Sequence, residues 1–377
     1  MDLTVITTYR CNSHCSMCYI WKYPTDPGEE VNVEDLKKLP GGFDNLNITG
    51  GEPTLRKDLS DLVELLHPKG RILEISSNGL HSERLEPIIK KYPRTKVRFS
   101  LEGFGDTNNR IRGEQDGFAK KVAGMMRLKE LGGQDLGFGA VIQDDNITEV
   151  VDLYKFAQEK DVEFATSTLH NAFQFHKNDN VVYDRMKVAR EVEKLITEML
   201  KTNKVKNWFR AYLNLGLIEN ILGHDRLIPC TAGKDFTFID PWCDVYACNV
   251  RPDLLLGNLR RQSWDEIMTS PKSREIREKV KACKQNCWMV TTARTAMRNP
   301  LVPQLPKARP FWWVVVNKAR ATLGMPIPFA KYIDYGVVVT DESVPRREHF
   351  LDSKQVKRRK QTAEETHYSF VGEYFNR

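Results

Sequence analysis

Short runs with β-type spacing recur along the first 165 residues, at 3–7, 45–49, 71–75, 96–100, 137–142 and 162–165. Between them, at 58–66, 82–92, 118–131 and 148–159, apolar residues return every three to four positions, the spacing of a helix with one buried face. Six strand–helix repeats predict a parallel sheet. With right-handed crossovers the sheet curls into a partial (β/α)6 TIM-type barrel, an α/β fold whose reactive groups gather at the C-terminal ends of the strands.

Residues 181–223 predict two further helices. From Pro229 the texture changes to short strands and turns with five cysteines up to Cys287. The expected domains are 1–225, 226–295 and a C-terminal extension, 296–377, rich in Pro, aromatic and basic residues. From Met297 to Lys331 that extension holds six Lys/Arg and no Asp/Glu.

Composition narrows the class. At 377 residues, 41% hydrophobic and a mean hydropathy of −0.49, the chain is long enough for a large core. Its longest purely apolar run, Phe311 to Val316, is six residues, against about 20 for a bilayer span. Met1 to Val5 has neither a basic start nor an apolar stretch, so the expected location is cytoplasmic. Of the net charge of +7, residues 346–360 carry +5, from seven Lys/Arg against Glu348 and Asp352. The rest is nearly neutral, which argues against a nucleic-acid partner, whose phosphates need bases spread over a folded face.

Eight cysteines in a reducing compartment suggest metal or redox chemistry more than disulfides. Cys11, Cys15 and Cys18 fall within eight residues just after the first strand. A tight loop there can wrap a four-iron cluster, three thiolates leaving one iron open for a small molecule. The alternative is zinc, with His14 or a distant residue as fourth ligand.

This CxxxCxxC, followed at the end of the second strand by Gly50-Gly51-Glu52-Pro53, resembles the radical S-adenosylmethionine (SAM) enzymes. The resemblance implies a [4Fe-4S] cluster on Cys11, Cys15 and Cys18, with SAM chelating the open iron. It also implies that the Gly-Gly pair lets backbone approach a ligand and that Glu52 accepts from the SAM ammonium. Ser76-Ser77-Asn78-Gly79 and Ser100-Leu101-Glu102-Gly103 are similar to loops that hold the SAM ribose and carboxylate. Arg112 sits where a base often lies near that carboxylate, or is simply solvated. Met17 is placed against the adenine or in packing, and Val141 completes the implied SAM-binding set. By this likeness a 5′-deoxyadenosyl radical abstracts hydrogen from the substrate.

Cys230, Cys243, Cys248, Cys283 and Cys287, with Gly257-Asn258-Leu259 and Trp264 between them, resemble a SPASM/twitch extension that binds auxiliary clusters. Five cysteines suffice for one auxiliary [4Fe-4S] cluster. Relatives place a glycine where this chain has Cys243, so the implied ligands are Cys230, Cys248, Cys283 and Cys287. A zinc ribbon remains the alternative.

The expected function is hydrogen abstraction from a small-molecule or sugar-type substrate, a net oxidation if the auxiliary cluster takes an electron, with flavodoxin or ferredoxin as donor. Peptide-modifying relatives often carry an N-terminal leader-binding domain, whereas this chain starts ten residues before Cys11, which favours the small molecule; peptide maturation is the second reading. A zinc or iron-sulfur scaffold or electron carrier is a third, but gives no reason for motifs at successive strand ends. The basic, aromatic extension suggests either peripheral contact with a membrane surface or a solvated tail.

Overall fold

In the computed structural model, which describes residues 1–297 and 310–338, the sheet begins as expected. Strands β1 (Asp2–Ile6), β2 (Asn45–Thr49), β3 (Leu73–Ser77), β4 (Lys96–Ser100), β5 (Asp135–Ile142) and β6 (Glu163–Thr168) lie side by side in sequence order, all parallel. The crossovers carry α1 (Val33–Lys37), α2 (Leu59–Leu66), α3 (Glu86–Lys91), α4 (Gly105–Arg112), α5 (Gly117–Glu130) and α6 (Val150–Glu159), followed by α7 (Arg185–Lys201) and α8 (Val205–Leu222). Leu3, Val5, Leu46, Ile75, Val97, Phe99 and Phe138 are among the fully buried side chains of the core. Strands covered on both faces read as near-continuous apolar runs, which is why the pattern was legible.

The third strand starts at 73 rather than 71. Gly70 bridges to Phe43, and Arg71 N–H donates to the Phe43 carbonyl, before the chain enters the ladder. At the other end Ser76 and Ser77, expected in a loop, pair with Arg98 and Phe99 in β4. The helix expected over 82–92 is a 3₁₀ turn, Ser82–Leu85, followed by α3. Pro87, in the first turn of α3, has no N–H to continue a ladder from the residues before it.

The C-terminal segment is not a detached module. β7 (Phe236–Ile239) pairs in parallel with the free edge of β1, and β8 (Asp244–Tyr246) and β9 (Leu255–Asn258) extend the same sheet antiparallel. The result is one open nine-stranded sheet in the order β6-β5-β4-β3-β2-β1-β7-β8-β9. Pairing with β7 satisfies backbone groups that an open barrel leaves exposed on β1. Beyond α9 (Trp264–Thr269) and α10 (Pro271–Lys281) comes α11 (Val290–Met297), whose Arg294 reaches Asp2 at 2.6 Å and Glu74 at 3.9 Å. The boundary expected at 295/296 therefore cuts a helix packed into the barrel. α12 (Pro310–Thr322) lies on α7 and α8, with Trp313 edge-on to Tyr212 at 5.5 Å. The basic run 346–360, with Lys307 and Arg309, lies outside the described residues. Among the described residues no helix is long and apolar enough to cross a membrane.

Ion pairs fill the lower barrel. Lys96 binds Glu74 at 2.6 Å, and Arg98 pairs with Asp135. Burial works against the Glu74 charge, but Lys96, Arg294 and Arg98 outweigh it and hold the carboxyl at about 2. Asp135, opposed by burial and favoured by Arg98 and Lys206, also stands at about 2. Unfolded, both titrate near 4, so between about pH 4.5 and pH 2 the unfolded chain binds more protons and stability falls as the pH falls. Denaturant midpoints should drop across this window, and Glu74→Gln with Asp135→Asn should flatten the slope; an unchanged slope in the double variant contradicts the assignment.

Candidate active site

Beyond the ends of β1 and β2 the two backbones stay together. Thr7 N–H donates to the Thr49 carbonyl at 2.8 Å, Gly51 N–H to Thr8 at 2.6 Å and Glu52 N–H to Arg10 at 2.8 Å. A Cβ on Gly50 would stand 2.5 Å from the Thr8 carbonyl oxygen, and one on Gly51 2.3 Å from that of Arg10. The glycines thus make room for the backbone of residues 8–10. Buried Glu30 locks the same stretch, accepting from Thr8, from Thr25 at 2.7 Å, from Arg10 at 2.8 Å and 2.9 Å, and from Arg56 at 3.2 Å. No motif marked Glu30.

From this base the chain enters the cysteine loop. His14 N–H donates to the Arg112 carbonyl and Ser16 N–H to that of Ile111, both at 2.9 Å. Asn78 Nδ2 donates to Asn12 Oδ1 at 2.6 Å and to Ser13 Oγ at 2.9 Å, and Ser13 Oγ donates to Glu114 at 2.5 Å. Cys15, Met17 and Ile111 form a small apolar cluster, with Cys18, Val141 and Leu169 against it. Burial pushes the Cys11 thiol up to about 12 and raises Cys15 and Cys18 as well. These sulfurs become thiolates only when a bound cation compensates the charge, and binding then releases protons. His14 is exposed, its ring 4.6 Å from Trp21. Among the described residues no three His, Cys, Asp or Glu converge on a single-ion position.

Glu52 is completely buried. Its Oε1 accepts from Thr54 N–H at 2.9 Å, Thr54 Oγ1 at 2.6 Å and Ser77 Oγ at 2.9 Å, and its Oε2 from Asn78 N–H at 2.5 Å. With four protein donors in place, the carboxylate ties the end of β2 to that of β3. Pro53 opens the short 3₁₀ turn Pro53–Leu55 behind it.

A second buried network backs the loop. Glu102 accepts from Val141 N–H at 2.7 Å and from Arg112 Nη1 at 3.1 Å, and burial raises its carboxyl. Arg112 Nε reaches Glu114 at 3.0 Å, and Lys121 Nζ meets the other Glu114 oxygen at 2.5 Å, with both Glu114 and Lys121 side chains fully buried. Arg112 is therefore paired and inside, not solvated. Sequence reading missed Glu114 and Lys121. The available signal was Lys121 itself, a cation in register with Gly117, Gly124, Met125 and Leu128 on the inward face of α5.

Met17, Ser100, Glu102, Arg112 and Val141 line a cavity of about 750 Å³ that follows the barrel interior. Gly50, Gly51, Glu52, Pro53, Ser77 and Asn78 are not among the residues that line it. The opposite wall includes Cys287 and Trp288 of the second cysteine group. There Cys248 shares a hydrogen bond with Cys287, which lowers the Cys287 thiol and raises that of Cys248. Cys230 lies within electrostatic reach of Cys283 and Cys287, and Arg251 hydrogen-bonds Cys283. Arg226 binds the Cys287 carbonyl at 3.0 Å and covers the Trp288 ring at 5.1 Å.

Cys243 stands apart. Its backbone is left-handed, with φ +70°, and its buried Sγ donates to Asp35 Oδ2 at 3.2 Å. Asp35 is itself paired with Arg260 at 3.1 Å. A left-handed turn position is one that glycine fills without strain. Cys243 is thus tied to Asp35, while Cys248 pairs with Cys287.

Residues 5–157 match the Radical SAM superfamily, and residues 230–288 match SPASM, an iron-sulfur cluster-binding domain. The chain is 25% identical over 317 residues to a pre-heme d1 synthase of Dinoroseobacter shibae, covering 74% of this chain and 76% of the relative. It is 26% identical over 291 residues to the mycofactocin maturase MftC of Mycobacterium ulcerans, covering 73% and 76%. The crystal structure of Streptococcus suis SuiB bound to S-adenosylmethionine shares the fold, with a TM-score of 0.55 at 17% identity over 73% of this chain and 67% of that one. The donor set fits such cofactors: three thiols on one braced loop, and four more around a second centre.

Cys243→Gly should keep the parent's iron content and unfold no earlier, because it removes a left-handed residue costing about 1–2 kcal/mol. Cys248→Ala should lose roughly half the iron, the share of one of two four-iron clusters. Iron loss in the first variant with the second unaffected overturns the division of the five cysteines.

Proposed function

For a chain that belongs to the radical SAM superfamily and carries a SPASM domain, with a [4Fe-4S] cluster, SAM and an auxiliary iron-sulfur cluster as its cofactors, we propose an oxidation of a small molecule, begun by hydrogen abstraction inside the barrel. One observation carries the reading: a single cavity of about 750 Å³ has Met17, Ser100, Glu102, Arg112 and Val141 on one side and Cys287 on another. That volume lies within the range of small-molecule sites.

Cys11, Cys15 and Cys18 are the proposed ligands of the SAM-binding cluster, and Cys230, Cys248, Cys283 and Cys287 those of the auxiliary one. Bound together, the first cluster and SAM supply a 5′-deoxyadenosyl radical able to take a hydrogen atom from a substrate carbon. The protein's part is placement. Arg112 Nε and Nη1 are committed to Glu114 and Glu102, which fixes the guanidinium at the cavity wall to receive the SAM carboxylate. Glu52, held by Ser77 and Asn78, aligns the strand ends around the SAM amino group. Met17 and Val141 give the adenine an apolar surface. Burial of this wall excludes water that would quench a radical. Cys287, on the wall of that cavity, would hold the auxiliary centre beside the substrate, and that group would supply an acceptor for the second electron, with flavodoxin or ferredoxin as the proposed donor of the first.

Peptide maturation is the second reading. It is favoured by the likeness to a maturase, and the cavity volume weighs against a long substrate.

The test is anaerobic reconstitution with SAM and dithionite, followed by quantification of 5′-deoxyadenosine. The parent should release it, and the triple variant Cys11→Ala, Cys15→Ala, Cys18→Ala should release none while staying folded. Undiminished release by the triple variant overturns the site.

A further inference from the structure

Ten large apolar residues are exposed among the described ones, and eight of them fall between 311 and 338. Scattered exposed apolar residues need no explanation, but a contiguous patch marks an interaction site. This patch is built on α12. Phe311 is 55% exposed, Trp312 58%, Val315 43% and Val316 48%, and Leu323 and Met325 just beyond the helix are 74% and 45% exposed. The other face is committed to the protein: Trp313, Val314 and Asn317 are buried, and Lys318 Nζ donates to the Thr202 carbonyl at 2.9 Å. The helix is therefore a fixed part of the fold, with its apolar side turned outward.

At about 100° per residue, Phe311, Trp312, Val315 and Val316 occupy an arc of about 140°. Arg320 flanks one edge of it, and Lys318, at the other, is tied to Thr202. In the sequence, residues 297–331 hold six Lys/Arg and no Asp/Glu, and residues 346–360 add a further +5. A soluble protein partner of ordinary composition would not call for this excess. Anionic lipid headgroups above an apolar layer match both features, because an in-plane helix buries its aromatic and aliphatic face at the acyl boundary while its flanking cations meet the headgroups.

We propose that the outward face of α12 docks the enzyme on an anionic membrane surface, with Phe311, Trp312, Val315 and Val316 inserted and Arg320 at headgroup level. The docking is peripheral: about 20 Å of helix lies along the interface rather than through it. The proposal stands independently of the reaction assigned to the barrel.

The test is co-sedimentation of the full chain with phosphatidylcholine vesicles, with and without phosphatidylglycerol, at low and high salt. The parent should bind the phosphatidylglycerol vesicles at least about tenfold more tightly than the neutral ones and lose most of that preference in high salt. Phe311→Asp with Trp312→Asp, at two exposed positions, should weaken binding at least about tenfold while leaving 5′-deoxyadenosine release unchanged. Equal binding of both vesicle types, or undiminished binding by the double variant, overturns the proposal. So does a parent that ignores vesicles but forms a dimer that the double variant dissolves, because the face then belongs to a second copy.

Discussion

The structure depends on one backbone contact: residues 7–10 run against residues 49–52 beyond the ends of β1 and β2. Only glycine fits at positions 50 and 51, since any Cβ there would meet a carbonyl at 2.5 Å or less. Once that contact is made, the entry of the cysteine loop is fixed on one side by Glu30 with Arg10 and Arg56. On the other side, Glu52 links through Ser77 and Asn78 to Asn12 and Ser13. The loop that carries buried Cys15 and half-buried Cys11 and Cys18 is thereby braced on both sides, the kind of support that the proposed cluster site requires.

Buried charge finishes the frame. Lys121, Glu114, Arg112 and Glu102 form a chain of pairs behind the loop. Such a network is costly to desolvate, and removing any one member leaves an uncompensated charge. The same logic operates at the other end of the barrel, where Arg294 of α11 joins Asp2, Glu74 and Lys96. Glu74, Lys96 and Arg294 thus line the same cavity as Arg112 and Cys287.

Much of this was legible in the sequence, for identifiable reasons. Strands buried on both faces show as apolar runs, and the cysteine spacings mark both centres. The glycine-like position of Cys243 was expected from the resemblance to relatives that carry glycine there, and its backbone is left-handed with Asp35 as its partner. What stayed hidden depends on contacts distant in sequence. β7 joins β1 across more than 230 residues, Glu30 gathers donors from three separate segments, and α11 enters a cavity that strand patterns cannot reveal. That the Gly-Gly pair meets the backbone of residues 8–10 was hidden for the same reason: spacing shows that backbone comes close, not everything it comes close to.

The central claim is that Cys11, Cys15 and Cys18 hold a cluster with one iron left for SAM, distinct from the centre around Cys287. Electron paramagnetic resonance of the reduced Cys248→Ala protein, recorded before and after SAM is added, tests it most directly, because only the loop cluster should remain. The account predicts one [4Fe-4S] signal that changes shape when SAM binds. A signal indifferent to SAM would contradict it.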